Sequence, residues 1–143
     1  MALPTKIVLE VVTPEGLLLR DDVDEVIAPG TDGYFGVRPG HTPFMTTLGL
    51  GEISYRKGPA WTRLTCFWGF CEVLPDRVNV LAEIGERAEA IDVGRAEVAK
   101  QRAAERMRVI KDETGFKEAH EDYMRAVVRL SVAHGPRHPS ASR

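Results

Sequence analysis

The sequence predicts an α+β protein in which an antiparallel β-sandwich is followed by an antiparallel α-helical hairpin. Two observations support this prediction. Before residue 85, short alternating apolar stretches are separated by turns that contain Gly and Pro, a pattern typical of strands. After residue 96, apolar residues recur every three or four positions, and proline is absent until Pro136. We therefore interpret residues 85–96 as the joint between the two parts.

Composition excludes several classes of function. The chain has 143 residues, of which 43% are hydrophobic and 28% charged, with a formal net charge of -2. A slightly negative net charge does not favour binding to nucleic acid or to an anionic membrane. No stretch approaches the roughly 20 apolar residues that cross a bilayer, so we expect no direct membrane insertion. The N-terminal residues do not resemble a signal peptide, and the default expectation is a bacterial cytoplasmic protein.

The two cysteines, Cys66 and Cys71, do not predict a metal site. No second Cys or His pair follows to complete a zinc site. A disulfide across the turn between them is the alternative to apolar packing, and we expect apolar packing in a reducing compartment.

Several short segments separated by turns form the β part. Such spacing without intervening helices indicates a β-sandwich or a flattened barrel. The predicted strands cover residues 6–12, 17–23, 25–28, 34–37, 44–48, 51–56, 61–67, 70–74 and 77–83.

The helical part has two apolar stripes interrupted at residues 111–115. Two helices of about five turns with a short connection predict an antiparallel hairpin. The stripes consist of Val93, Ala96, Ala103, Met107 and Ile110, and of Phe116, Ala119, Tyr123, Ala126, Leu130 and Ala133. Because alanine buries little area, we expect the hairpin to be marginally stable alone and able to open.

These patterns divide the chain into three regions. Residues 1–86 form the predicted sandwich domain, and residues 87–134 form the predicted hairpin domain. The remaining residues, 135–143, contain two prolines and small polar residues, and we expect this tail to be disordered.

A glycine- and proline-rich motif in the β part points to a known family. Residues 33–43 read Gly-Tyr-Phe-Gly-Val-Arg-Pro-Gly-His-Thr-Pro and resemble the signature loop of the epsilon subunit of F-type ATP synthases. Residues 11–16, 70–76 and 129–133 are similar to further segments of that family, in the same order. One departure is Trp68, where the family more often has a second glycine beside Gly69.

The resemblance implies a non-catalytic rotor subunit. Its sandwich would dock on the gamma subunit and the c ring, and its hairpin would inhibit ATP hydrolysis by extending toward the alpha and beta subunits. Such a subunit is peripheral on the cytoplasmic face of the bacterial inner membrane. Tyr34 and His41 would then lie at the rotor interface. The simpler interpretation of residues 33–43 is a loop that needs positive φ and rigid turns.

Four arginines flank the apolar stripes of the hairpin. Arg95 and Arg102 are seven positions apart, and Arg125 and Arg129 are four apart, so each pair shares one helix face. In an antiparallel hairpin the four guanidinium groups could approach one another. They would repel unless carboxylates or a bound anion compensated them. A solvated face with nearby acidic residues is the alternative.

A second motif gives the arginines a candidate role. Residues 91–96, Ile-Asp-Val-Gly-Arg-Ala, match the Ile/Leu-Asp-x-x-Arg-Ala motif of epsilon subunits that bind ATP. The resemblance implies an ATP site made by Glu86, Ile91, Asp92, Arg95, Ala96, Arg102, Arg125 and Arg129. Asp92 is also well placed to cap the first helix.

No catalytic motif accompanies this candidate site. A phosphate-binding Gly-x-x-x-x-Gly-Lys-Ser/Thr loop and a Ser-His-Asp arrangement are both missing from the sequence. We therefore expect ATP to be a regulatory ligand and no cofactor to be required. The alternative functions are a free-standing nucleotide- or carbohydrate-binding β-sandwich module and an enzyme that uses His41.

Overall fold

The computed structural model describes residues 3–135 and shows seven strands followed by a helical hairpin. A short 3-10 turn, Ala88–Ala90, joins the two parts. The strands are β1 (Ile7–Thr13), β2 (Gly16–Val23), β3 (Glu25–Gly30), β4 (Gly33–Val37), β5 (Phe44–Lys57), β6 (Ala60–Leu74) and β7 (Arg77–Arg87), and the helices are α1 (Val93–Val109) and α2 (Glu113–Ala133). The predicted α+β class is confirmed.

One continuous hydrogen-bonded sheet contains all seven strands, in the order β2-β1-β7-β6-β5-β3-β4. The β1–β7 pair is parallel and the other pairs are antiparallel. The sheet folds over one core so that its end strand β2 reaches β5, and at the surface Lys57 Nζ on β5 donates to Asp21 Oδ1 on β2 at 2.8 Å. The aliphatic core draws on every strand: Ile7, Leu9, Val11, Leu19, Val23, Val26, Val37, Leu48, Ile53, Leu64, Val73, Val78 and Val80.

Two pairs of predicted strands are single long strands in the structure. The predicted breaks at residues 49–50 and 68–69 are therefore wrong. The ladder instead skips Gly49, Trp68 and Glu83, which lie on one line across β5, β6 and β7. Glycine and an irregular residue bend these strands without ending them, and this bend lets the sheet fold over itself.

Trp68 lies at the centre of this bend in an unusual backbone conformation. Its φ of 59° is in the left-handed region, which costs a non-glycine residue roughly 1–2 kcal/mol. A Cβ on the next residue, Gly69, would lie 2.1 Å from the carbonyl oxygen of Leu81, so glycine is required there. Trp68 stands where the similar family more often has glycine, and it adopts the backbone conformation that glycine would adopt there.

The helices pack as the sequence predicts, with a shorter break. Asp112 caps α2 by accepting a hydrogen bond from Gly115 N at 2.7 Å, so α2 begins at Glu113 and Gly115 is helical. The residues buried along the two helices are mainly small: Ala96, Ala103, Ala119, Ala126, Leu130 and Val132. Of the predicted stripe, Val93 and Phe116 are exposed because they lie at the helix starts.

Helix α2 lies between the sandwich and α1. It packs on β5 and β6, whereas α1 packs mainly on α2. The predicted boundary after residue 86 lies one residue before the end of β7. Of the predicted tail, residues 136–143 lie outside the described residues.

Candidate functional site

The predicted nucleotide motif forms the start of α1. Asp92 Oδ1 accepts a hydrogen bond from Arg95 N at 3.0 Å, which confirms the predicted helix cap. Ile91 is half-buried just before the cap, and Ala96 is buried. The motif therefore has a structural role at the helix start, whatever it binds.

Arg129 is held by the sandwich. Its Nε donates to Glu86 Oε1 at 2.9 Å, and Thr65 Oγ1 donates to the same oxygen at 3.0 Å. The guanidinium carbon also lies 5.1 Å from the centre of the Phe67 ring, within the range of a cation–π contact. Glu86 thus links the last sheet strand to α2.

Arg125 is compensated by a carboxylate on its own helix. It donates to Asp122 Oδ1, and Arg106 Nη1 on α1 donates to Asp122 Oδ2 at 2.7 Å. Asp122 therefore bridges the two helices. On its other side, the Arg125 guanidinium carbon lies 5.4 Å from the Trp68 ring centre. Both α2 arginines consequently face aromatic rings of the sandwich.

Arg95 and Arg102 are exposed, and within residues 3–135 neither forms an ion pair. They line two adjoining depressions. A cleft of about 240 Å³ between the helices is lined by Ala99, Arg102, Ala103, Arg106, Asp122 and Arg125. A shallower depression of about 430 Å³ on α1 is lined by Gly94, Arg95, Val98, Ala99 and Arg102. Ala99 and Arg102 belong to both, so the surface is continuous.

The structure brings together part of the predicted site. Arg102 and Arg125 share the cleft, and Glu86 pairs with Arg129. Of the two predicted ways to offset the charge of the arginines, carboxylates serve for α2, because Asp122 pairs with Arg125 and Glu86 pairs with Arg129. The cleft nevertheless contains three arginines and one aspartate, which is a donor set that suits phosphate oxygens. Binding of ATP there stays a prediction.

Tyr34 and His41 do not share a loop. Tyr34 lies in the edge strand β4, where its ring is half exposed and its hydroxyl accepts a hydrogen bond from Glu52 N at 3.1 Å. Gly51 makes room for this hydroxyl, since a Cβ there would lie 2.5 Å from it. Burial of the hydroxyl, together with the nearby Glu52 charge, raises the pKa of Tyr34 despite the hydrogen bond from the Glu52 amide.

His41 lies in the segment between β4 and β5, where its ring is near that of Phe44. Successive strand residues point to opposite faces, so Phe35 points away from the Tyr34 side. The Phe44 ring contacts both Phe35, at 5.3 Å between centroids, and His41, at 6.4 Å. Tyr34 and His41 therefore have different neighbours, and their contact roles stay predictions.

Several residues of this region were not predicted from the sequence. Arg106 completes the cleft, Trp68 covers Arg125, and Glu52 forms a buried ion pair with Arg63. The pair formed by Glu52 and Arg63 could have been predicted from the sequence. Glu52 and Arg63 have opposite charges on the two arms of a hairpin that turns at residues 58–59, where diagonal neighbours come within reach.

The cysteines and the described surface offer little further chemistry. Cys66 and Cys71 are free and buried, as predicted, and burial raises the pKa of each thiol to about 12, so both are inert at neutral pH. Within residues 3–135 there is no cluster of three His, Cys, Asp or Glu side chains that could hold a metal ion. Neither helix is long and apolar enough to span a bilayer.

Comparison with known families assigns both parts of the chain. Residues 6–88 match the family described as ATP synthase, Delta/Epsilon chain, beta-sandwich domain. Residues 89–134 match ATP synthase, Delta/Epsilon chain, long alpha-helix domain. This chain belongs to the ATP synthase delta/epsilon chain family. The resemblance seen in residues 33–43 is thereby confirmed, as is the predicted sandwich-then-helices order.

Individual proteins agree with this family. The ATP synthase epsilon chain of Syntrophobacter fumaroxidans is 47% identical over 128 residues, which cover 90% of this chain and 96% of that protein. ATP synthase epsilon chain 2 of Syntrophotalea carbinolica is 47% identical over 131 residues, which cover 90% of this chain and 94% of that protein.

A chain in the OSCP/F1/c-ring structure of the Euglena gracilis mitochondrial ATP synthase shares the fold. Its TM-score is 0.80 at 19% identity, and the match covers 94% of this chain and 85% of that chain.

Proposed function

We propose that this chain is a non-catalytic central-stalk subunit of a proton-translocating F-type ATP synthase. The observation that carries the proposal is relatedness along almost the whole chain, with both family domains matched in order over residues 6–88 and 89–134. The sandwich would dock on the gamma subunit and the c ring. As part of such a complex, the chain would lie at the cytoplasmic face of the bacterial inner membrane.

The construction of the hairpin supports a movable inhibitory element. Its buried residues are mostly alanine, and α2 meets the sandwich through a few directional contacts at Trp68, Glu86 and Arg63. The contacts at Trp68 and Glu86 are partly exposed and are exchanged for water at modest cost. The released hairpin would extend toward the alpha and beta subunits and inhibit hydrolysis.

Reconstitution tests this assignment. The full chain and residues 1–90 are each mixed with an alpha–beta–gamma complex from a relative, and co-migration and ATP hydrolysis are measured. Both forms should co-migrate with gamma. Only the full chain, and not residues 1–90, should inhibit ATP hydrolysis. Absence of binding to gamma would reject the assignment and favour the free-standing sandwich module.

We also propose that ATP is a regulatory ligand of the hairpin. The supporting observation is the unpaired, exposed Arg102, which lines both depressions beside Arg95 and Arg125. A triphosphate could bridge the two helices there by binding guanidinium groups from each. Asp92 at the start of α1 and Glu86 beside Arg129 would border the nucleotide.

Calorimetric titration with ATP, with and without Mg²⁺, tests the ligand. Arg102→Ala should weaken binding by about tenfold or more, because a charge-assisted hydrogen bond to phosphate is lost. Arg108→Ala is the matched control, since Arg108 is exposed on the same helix and pairs with Glu105. Equal affinity in wild type and Arg102→Ala would reject this site.

A further inference from the structure

Two oppositely charged side chains are buried where α2 meets the sandwich. Glu52 on β5 is 9% exposed and Arg63 on β6 is 7% exposed. Arg63 Nη2 donates to both carboxylate oxygens of Glu52 at 2.5 Å. Charged residues are rarely this deeply buried unless they are paired. Neither residue belongs to the candidate nucleotide site.

The same guanidinium group reaches the end of α2. Arg63 Nη2 donates to Ser131 Oγ at 2.7 Å, and Nη1 donates to the carbonyl oxygen of Gly135 at 2.9 Å. Ser131 lies in the last turn of α2, and Gly135 follows the C-cap, His134. Carbonyl groups at a helix C-terminus lack intrahelical partners and carry partial negative charge, so a cation there is favourable.

Net stability is a poor explanation for this pair. A buried ion pair generally contributes no more than apolar residues of similar volume. Here the burial is also incompletely compensated. Arg63 Nε and Ser54 Oγ, on directly opposed residues of β5 and β6, are buried without hydrogen-bond partners. What the pair does provide is a fixed, directional donor aimed at one turn of α2.

We propose that Glu52 and Arg63 form a latch that holds the C-terminal turn of α2 on the sandwich without any nucleotide. Glu52 fixes the orientation of the guanidinium group, and Arg63 binds Ser131 and Gly135. Release of α2 requires Arg63 to exchange these two acceptors for water. The latch is a property of the isolated chain and does not depend on the proposed role in ATP synthase.

Hydrogen exchange in the isolated full chain, without nucleotide, tests the latch. Ser131→Ala removes an acceptor on α2 and leaves the Glu52–Arg63 pair intact. The amides of residues 126–135 should exchange about tenfold faster, while those of β7 stay unchanged. Because alanine favours a helix more than serine does, faster exchange cannot come from helix propensity.

A control and a second variant make the test decisive. Thr47→Ala also deletes a hydroxyl, which pairs with Thr31 outside the latch, and should leave exchange in α2 unchanged. The double variant Glu52→Leu, Arg63→Leu should keep the strands protected and accelerate exchange in α2 at least as much as Ser131→Ala. The proposal would be overturned if the amides of residues 126–135 exchanged at the wild-type rate in either latch variant. It would also be overturned if exchange became faster in α2 and in the strands together.

Discussion

The sandwich and the hairpin differ in what they bury. The sandwich encloses branched aliphatic side chains from all seven strands, and many of them have no exposed surface. The hairpin buries mainly alanines, with Leu130 and Val132 near its end. Full burial of a Val or Leu side chain contributes ~1.5–3 kcal/mol to stability, whereas burial of an alanine methyl group contributes about as much as one methylene group, ~0.8 kcal/mol. The sandwich is therefore stabilised by a large core of its own, and the hairpin by a small apolar contact at Leu130 and Val132 together with a few directional contacts.

The largest expected effect comes from the sandwich core. Leu64 has no exposed surface, and Leu64→Ala should lower the free energy of unfolding by ~2–5 kcal/mol through lost burial and a cavity. Chemical denaturation measures this change. Leu81→Ala is the control, since Leu81 is 58% exposed and should change stability by less than ~0.5 kcal/mol. Similar losses in both variants would contradict the description of the core.

A buried leucine in the hairpin should act locally. Leu130 is 7% exposed, and Leu130→Ala should destabilise the docked helices by ~2 kcal/mol or more. Circular dichroism should show the helical signal lost at lower temperature, while the transition of the strands keeps its midpoint. A parallel fall of both transitions would mean that the two regions unfold as one unit.

Trp68→Gly should have opposite effects on the two regions. Glycine relieves the left-handed backbone of the bend, which favours the sandwich by ~1 kcal/mol. It also removes the ring under Arg125, which weakens hairpin docking by ~0.5–2 kcal/mol. Thermal melts followed at strand and helix wavelengths should therefore move in opposite directions. A lower midpoint for the sandwich would show that the Trp68 conformation is not strained.

Asp122→Asn should have the smallest effect on stability. The change leaves Arg106 and Arg125 without their shared carboxylate, so the empty hairpin should lose ~0.5–1 kcal/mol. The cleft becomes more positive, and titration should show tighter binding of inorganic triphosphate. Glu105→Gln, which removes an exposed carboxylate paired with Arg108, is the matched control and should change neither quantity. Weaker triphosphate binding by Asp122→Asn would contradict the proposed charge balance.

The sequence predicted those features that depend on local pattern. The change in hydrophobic period predicted the sandwich and the hairpin as two regions. The alanine-rich stripes predicted how the two helices pack, and the position of Asp92 predicted the cap of α1. The long strands β5 and β6 were missed because Gly49 and Gly69 look like turn residues in sequence, whereas a bend inside a strand uses the same residue types.

Long-range partners were not predictable in the same way. Arg129 pairs with Glu86 across 43 positions, and Arg63 reaches Ser131 across 68. Such contacts depend on how α2 lies on the sheet, and helix periodicity does not contain that information. The sequence consequently did not show which carboxylate pairs with which arginine of α2; the partners are Glu86 for Arg129 and Asp122 for Arg125.

Removal of the hairpin tests most directly whether the sandwich is stable by itself. Residues 1–90 retain β7 and the hydrogen bond from Arg87 Nη2 to Leu18 O at 2.9 Å. Thermal unfolding of this fragment should be cooperative, with a midpoint within about 5 °C of the strand transition in the full chain, which corresponds to roughly 1 kcal/mol. An unfolded fragment, or a midpoint lower by about 15 °C or more, would contradict the account, because the hairpin would then supply a major part of the stability of the sandwich.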